Sequence, residues 1–232
     1  VAVKSLRPRA MSTDTFLEEA QVMTSLAHKN IVQLLAVCTQ EEPILIVTEY
    51  FEYGNLLSYM RSPSGVQLEV KTLLKIAENV AEGMAFIEKK KCIHRKLSAK
   101  SIFLTTELAA KVGDFDFAKN STEFKATEVD VQQWYIFRWM ALESILYGVF
   151  TIKSDVWSYG IVLIEIISRG ASPYSGMTPP AIMMMIEEDG RCPQPDTCPD
   201  SLYEIMLQCW AKNPADRPTF EFLADYMRDL SL

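Results

Sequence analysis

The chain has 232 residues, 49% of them hydrophobic and 23% charged, an ordinary globular composition that excludes a disordered, collagen-like or coiled-coil chain. Lys and Arg total 23 against 30 Asp and Glu, a net charge of -7; a clustered positive face for nucleic acid is therefore not expected. The length suits one large domain or two small lobes about a cleft, with enough chain to bury a core.

In chain order, Val1-Ala-Val-Lys4 reads as a strand ending in a lysine. Thr15 and Glu18 have capping-box spacing, and Phe16, Ala20, Met23 and Ala27 then recur at helical intervals. Glu19 sits beside that apolar stripe, so it is expected to point partly inward. Two β-rich runs, 33–39 and 44–50, are joined by Glu41-Glu42-Pro43 as a hairpin, and Phe51-Glu-Tyr-Gly54-Asn55 reads as a connector. From Leu73 the texture is helical, with Leu73, Ala77, Val80, Met84 and Ile87 forming one stripe. Residues 111–150 show no periodicity and are expected to be loop, of the length that usually carries function. The run 155–168 is apolar nearly all round, which marks a helix buried on every side. Amphipathic stretches around 202–210 and 220–230 close the chain.

Five cysteines (Cys38, Cys92, Cys192, Cys198, Cys209) include no CxxC pair, and His28 and His94 are too few for a Cys/His zinc site. An odd thiol count in a chain this long points to a reduced, cytoplasmic protein. The longest strongly apolar stretch, 161–167, is broken by Glu165 and falls far short of the ~20 residues that span a bilayer, so no direct membrane insertion is expected. No signal peptide is visible, and because the chain opens on Val1 it is expected to begin partway through a longer protein.

Lys4 alone reads as a surface lysine and Glu19 alone as the charged flank of a helix. They gain meaning from an ordered series downstream: Ile93-His94-Arg95-Lys96-Leu97-Ser98-Ala99-Lys100-Ser101, Lys111-Val-Gly-Asp114-Phe115-Asp116, Arg138-Trp139-Met140-Ala141-Leu142-Glu143, Ser154-Asp155-Val156-Trp157, and Cys209-Trp210 with Asp216-Arg217-Pro218. The series resembles the protein-kinase signature set, and Phe16-Leu-Glu-Glu-Ala-Gln-Val-Met23 and Ile46-Val-Thr-Glu-Tyr50 resemble the Src-type cytoplasmic tyrosine kinases. The resemblance covers essentially the whole chain. It implies an α+β, bilobal protein-kinase fold, with residues 1–50 a partial β-rich N-lobe, 51–55 a hinge and 56–232 a mainly helical C-lobe. It implies Mg2+ and ATP as cofactors, Lys4 as the phosphate-binding lysine and Glu19 as its partner. Thr48 would be the gatekeeper, Glu49, Tyr50 and Phe51 the hinge residues that hydrogen-bond adenine, Phe103 the residue beneath adenine and Asp114 the metal-binding carboxylate. Met23, Leu34, His94 and Phe115 would stack as a spine joining the lobes. Asp155 would anchor the catalytic loop, and Glu143 would pair with Arg217.

The departures from that family pattern carry as much weight. Lys96 stands where the family has the aspartate that accepts the substrate hydroxyl proton, and an ammonium with an ordinary pKa cannot do that. Ser101 replaces the metal-holding asparagine, which weakens that metal position. Asp116 replaces the glycine after Asp114-Phe115, removing permissive backbone geometry and adding a carboxylate; the two carboxylates together are also a pair that can hold a cation. Phe124 aligns with the activating tyrosine in 121–127, which leaves Arg95 no phosphate to grip. Ile136 aligns with the proline of the substrate platform, and Phe103 is larger than the usual residue beneath adenine and is expected to crowd the nucleotide. The chain contains no Gly-x-Gly-x-x-Gly.

These residues are expected to make a catalytically impaired pseudokinase that works as a scaffold or regulator and binds proteins, such as an active kinase or its substrates. The alternative is a working non-receptor tyrosine kinase transferring the ATP γ-phosphate to protein tyrosine. A second alternative is a truncated copy without function.

Overall fold

The structure is a computed structural model that describes residues 1–6, 12–126 and 134–231. Strands β1 (Ala2–Ser5), β2 (Leu34–Cys38) and β3 (Leu45–Thr48) form an antiparallel sheet in the order β1-β3-β2, with Lys4 opposite Ile46. Helix α1 (Thr13–Thr24) lies on this sheet, burying Phe16 and Ala20 against Ile44 and Ile46. Its cap is not the expected Thr15. Ser12, one turn earlier, accepts the Thr15 backbone N–H at 3.1 Å, and the two hydroxyls share a hydrogen bond of 2.8 Å. Ser12 satisfies a first-turn amide that Thr15, already helical, cannot.

After the connector come α2 (Leu56–Met60), α3 (Val70–Lys89), α4 (Leu142–Tyr147), α5 (Ile152–Ile167), α6 (Pro179–Glu187), α7 (Asp200–Cys209) and α8 (Phe220–Ser231). The stripe Leu73, Ala77, Val80, Met84 and Ile87 on α3 is fully buried, facing the core that α5 and α8 share. In α5 every residue from Ser154 to Ile167 is buried, as its all-round apolar sequence requires. Gly160 lets the Trp210 indole approach that helix: a Cβ there would lie 2.5 Å from Nε1.

The stretch 111–150 is not simply loop. It holds the end of a hairpin, β4 (Ile102–Leu104) with β5 (Ala110–Val112), and then β6 (Glu123–Lys125), a 3-10 turn over Trp134–Trp139 and α4. Strand β7 (Val149–Thr151) follows and pairs antiparallel with β6. Three-residue strands are too short to show a two-residue period, which is why the sequence pattern passes over them. The β4–β5 hairpin matters most for the site, because it carries Phe103 on one strand and delivers Gly113 and Asp114 from the other. All of this is a mixed α+β architecture, with the small sheet and α1 set above a helical body. Among the described residues, no helix is long and apolar enough to cross a membrane, and all five cysteines are free thiols.

Candidate active site

Lys4 on β1 and Glu19 on α1 form one side of the site; the segment that starts at Gly113, whose Asp114 and Asp116 charges reach Glu19, forms the other together with the loop 93–101. Lys4 Nζ is salt-bridged to the Glu19 carboxylate. Glu19 is only 9% exposed, because its position on α1 turns it toward the body. Burial raises its pKa, Lys4 opposes the rise, and the nearby Asp116 and Asp114 charges add to it.

The lower loop hangs from α5. Asp155 is 1% exposed, and its two carboxylate oxygens accept the backbone N–H groups of His94 at 2.7 Å and Arg95 at 2.9 Å. Burial outweighs these contacts and raises its pKa. The contacts support Arg95 in the left-handed region, at φ 68°, where a long side chain costs about 1–3 kcal/mol. Glu165, also on α5 and 1% exposed, accepts from the Ala99 N–H and from the Trp139 indole, both at 2.8 Å. Burial pushes the Glu165 carboxyl up to about 7. Nothing in the sequence singled it out beyond its being a charge in an apolar run.

Met23, His94 and Phe115 are buried and Leu34 is half-buried, with the His94 and Phe115 rings 5.2 Å apart. The His94 ring is held by the Gly113 carbonyl at 2.9 Å. Arg217, whose side chain is fully buried, makes a bidentate pair with Glu143 at 2.6 and 2.8 Å. On the connector side, Thr48 donates its hydroxyl to the Glu49 carbonyl at 3.2 Å. The Glu49 carboxylate accepts from the Gln33 N–H at 2.7 Å and from Lys111 Nζ at 2.8 Å, a pair that spans too much sequence to be foreseen. Phe51 is buried and Tyr50 exposed. Phe103 tilts against Phe51 with ring centroids 5.4 Å apart. Its bulk has been accommodated below: a Cβ on Gly113 would stand 3.0 Å from Phe103 Cε2 and 2.6 Å from Val32 Cγ2.

The centre of the site is Lys96. Its ammonium lies 2.9 Å from Asp114 Oδ2 and 2.9 Å from Asp116 Oδ2, with a further contact of 3.2 Å to Asp116 Oδ1. Burial alone would lower the Lys96 pKa. The hydrogen bonds and charges of Asp114 and Asp116 outweigh it, and the pKa is raised. A neutral amine able to take a proton is therefore disfavoured further than in free lysine. The two carboxylates do hold a cation together, and it is the chain's own. Asp116 imposes no backbone penalty: the left-handed residues include Asp114 at φ 62° and Arg95, but not Asp116, so the glycine freedom expected to be missed at that position is not used.

Ser101 also departs from the expected weak metal ligand. It is fully buried, and its hydroxyl donates to the Ser98 carbonyl at 2.9 Å and accepts the Ser98 N–H at 3.0 Å, closing a capping box on its own turn. Serine is too short to leave that turn and reach outward. The residues present thus do not fit a magnesium ion: a hard cation needs convergent free oxygen ligands, and here the Asp114 and Asp116 carboxylates bind an ammonium while Ser101 is turned inward. Formally, two ammonium groups, Lys4 and Lys96, face three carboxylates, Glu19, Asp114 and Asp116.

Phe124 is where the sequence alignment put the activating tyrosine, on β6, and Arg95 stacks on its ring at 3.8 Å. Ile136 lies half-buried in the 3-10 turn, and Thr127 is outside the described residues. The ordered set of Lys4 against Glu19, the loop hung from Asp155, the His94–Phe115 stack and the Glu143–Arg217 pair is matched by similarity along nearly the whole sequence: a family model described as protein tyrosine and serine/threonine kinase matches residues 1–227, and the chain belongs to that family.

Proposed function

We propose that this chain is a kinase-fold domain of Src-like tyrosine-kinase type that does not carry out useful phosphotransfer and acts by binding proteins, as a scaffold or regulator in the cytoplasm. Members of the family use ATP and Mg2+. One observation carries the reading: the Lys96 ammonium bridges Asp114 and Asp116 at 2.9 Å each, so the proton acceptor is replaced by a cation and the remaining metal carboxylate is neutralised by that same cation. Loss of a general base alone costs about 10²–10⁴-fold in rate, and this arrangement removes base and metal ligand together. The ion pairs Lys119–Glu18 at 2.6 Å and Lys111–Glu49 at 2.8 Å support the scaffold role, since each ties the sheet and α1 to the helical body without a nucleotide to bridge them.

The partners this reading implies are an active kinase or its substrates, engaged through the folded surface. The test is phosphate transfer from radiolabelled ATP to a tyrosine-containing copolymer and to the chain itself, with Mg2+ or Mn2+. Incorporation indistinguishable from that of the Asp114→Asn variant supports the proposal. Transfer that depends on Asp114 and on metal would overturn it and establish the working tyrosine kinase instead.

A further inference from the structure

In place of a phosphorylated tyrosine, the structure offers Arg95 an aromatic clamp. The guanidinium lies 3.8 Å from the Phe124 ring centroid and 4.7 Å from that of Phe150. Those two rings are brought together by the β6–β7 ladder, where Phe124 pairs with Phe150 in register, their centroids 6.4 Å apart. Arg95 is only 8% exposed, and its backbone N–H is fixed by Asp155 at 2.9 Å, so the guanidinium is aimed from a rigid base. A cation on an aromatic face is worth more when water is excluded. The clamp continues upward. Lys119 Nζ stands 5.7 Å from the Phe124 ring and is salt-bridged to Glu18 of α1 at 2.6 Å. Its backbone exchanges two hydrogen bonds with Ile93, at 3.0 and 2.9 Å. Glu18 neighbours Glu19 on the helix that holds Lys4.

We infer that the segment 117–126 is held in its ordered position by Arg95, which donates to the Phe117 carbonyl at 3.2 Å and is clamped by cation–π contact between Phe124 and Phe150, so that the segment and α1 stay docked without phosphorylation. The inference stands on contacts other than those of Lys96 and holds whether or not the chain transfers phosphate. Its consequence is a regulatory one: the surface carrying β6 and β7 is permanently formed, and a partner that reads it needs no prior modification of this chain.

Amide hydrogen exchange of β6, β7 and Lys119 tests the clamp in three variants. Phe124→Tyr keeps the π-face and should exchange as the unmodified chain does. Phe124→Leu keeps apolar bulk without the π-face and should exchange about tenfold to thirtyfold faster in these amides, as should Phe124→Ala, while α3 and α5 amides are unchanged. If Phe124→Ala loses the global fold, the Leu and Tyr variants still decide. Equal protection in Phe124→Leu and the unmodified chain would overturn the cation–π clamp. Phosphatase treatment should leave protection unchanged; faster exchange after it would overturn phosphate independence.

Discussion

Replacing Lys96 by Met keeps the stem of the side chain and deletes the ammonium. Asp114 and Asp116 then face each other, and Glu19, with no cation below them. Exposed ion pairs contribute about 0–1 kcal/mol, while stranding one partner of a buried pair costs about 3–5 kcal/mol. Here the Lys96 side chain is 19% exposed and those of Asp114 and Asp116 are 32% and 26% exposed, so the loss should fall between, at about 1–3 kcal/mol. At about 2–4 °C per kcal/mol for a chain of this size, the Tm falls by about 2–12 °C. The same substitution frees two carboxylates for a hard cation. Mg2+ at about ten times its Kd would return about 1.4 kcal/mol to Lys96→Met, and nothing comparable to the unmodified chain, whose carboxylates are already paired. Thermal unfolding of both proteins with and without Mg2+ measures both effects. A Lys96→Met variant as stable as the parent, or a parent stabilised by Mg2+ as much as the variant, would refute the reasoning.

Three further outcomes follow from buried groups. Because burial raises Glu165 from 4.5 to about 7, the folded state binds its proton more tightly than the unfolded chain does; its contribution is present below the ordinary value and is lost as pH climbs through about 7, about 3 kcal/mol in all. Relative to Glu165→Gln, the parent should lose stability between about pH 5 and pH 8, and a pH-independent difference would rule that out. Glu143→Gln removes the charge paired with the fully buried Arg217 guanidinium, which keeps only its bonds to the Ala211 and Lys153 carbonyls and whatever the Gln oxygen accepts, and should cost about 3 kcal/mol in denaturant unfolding, whereas Glu143→Met with Arg217→Met should cost less than either single change. Gly113→Ala forces a Cβ against Phe103 and Val32 and should cost about 1–3 kcal/mol, with Phe103→Leu recovering part of it; purely additive losses would show that the two sites do not press on each other.

Much of the fold was legible because the signals were long. The α3 stripe and the all-apolar α5 needed only periodicity, and Glu19 flanking an apolar face was enough to turn it inward. The short elements between 111 and 150 were not legible, since three-residue strands leave no repeat. The identities at Lys96, Ser101 and Asp116 announced an altered site, yet their consequence required geometry. From sequence, Lys96 read as a missing base, Ser101 as a poor ligand and Asp116 as a backbone fault that also added a carboxylate able to share a cation with Asp114, without showing which cation. In space, Lys96 and Asp116 compensate each other through Asp114, and Ser101 serves its own turn. Arg95 was expected to lack a phosphate; the β6–β7 register that brings Phe150 beside Phe124 supplies an aromatic substitute that no local spacing shows.

The central claim is that the proton-acceptor position holds a permanent cation paired with two carboxylates. An NMR pH titration of the lysine side-chain nitrogens, with the Lys96 signal assigned by its disappearance in Lys96→Met, tests this at the atom concerned. Lys96 should remain charged and titrate above its ordinary 10.5, with the titration moving down when Asp116 is replaced by Asn. A Lys96 signal that titrates near neutrality would make it an available base and contradict the account.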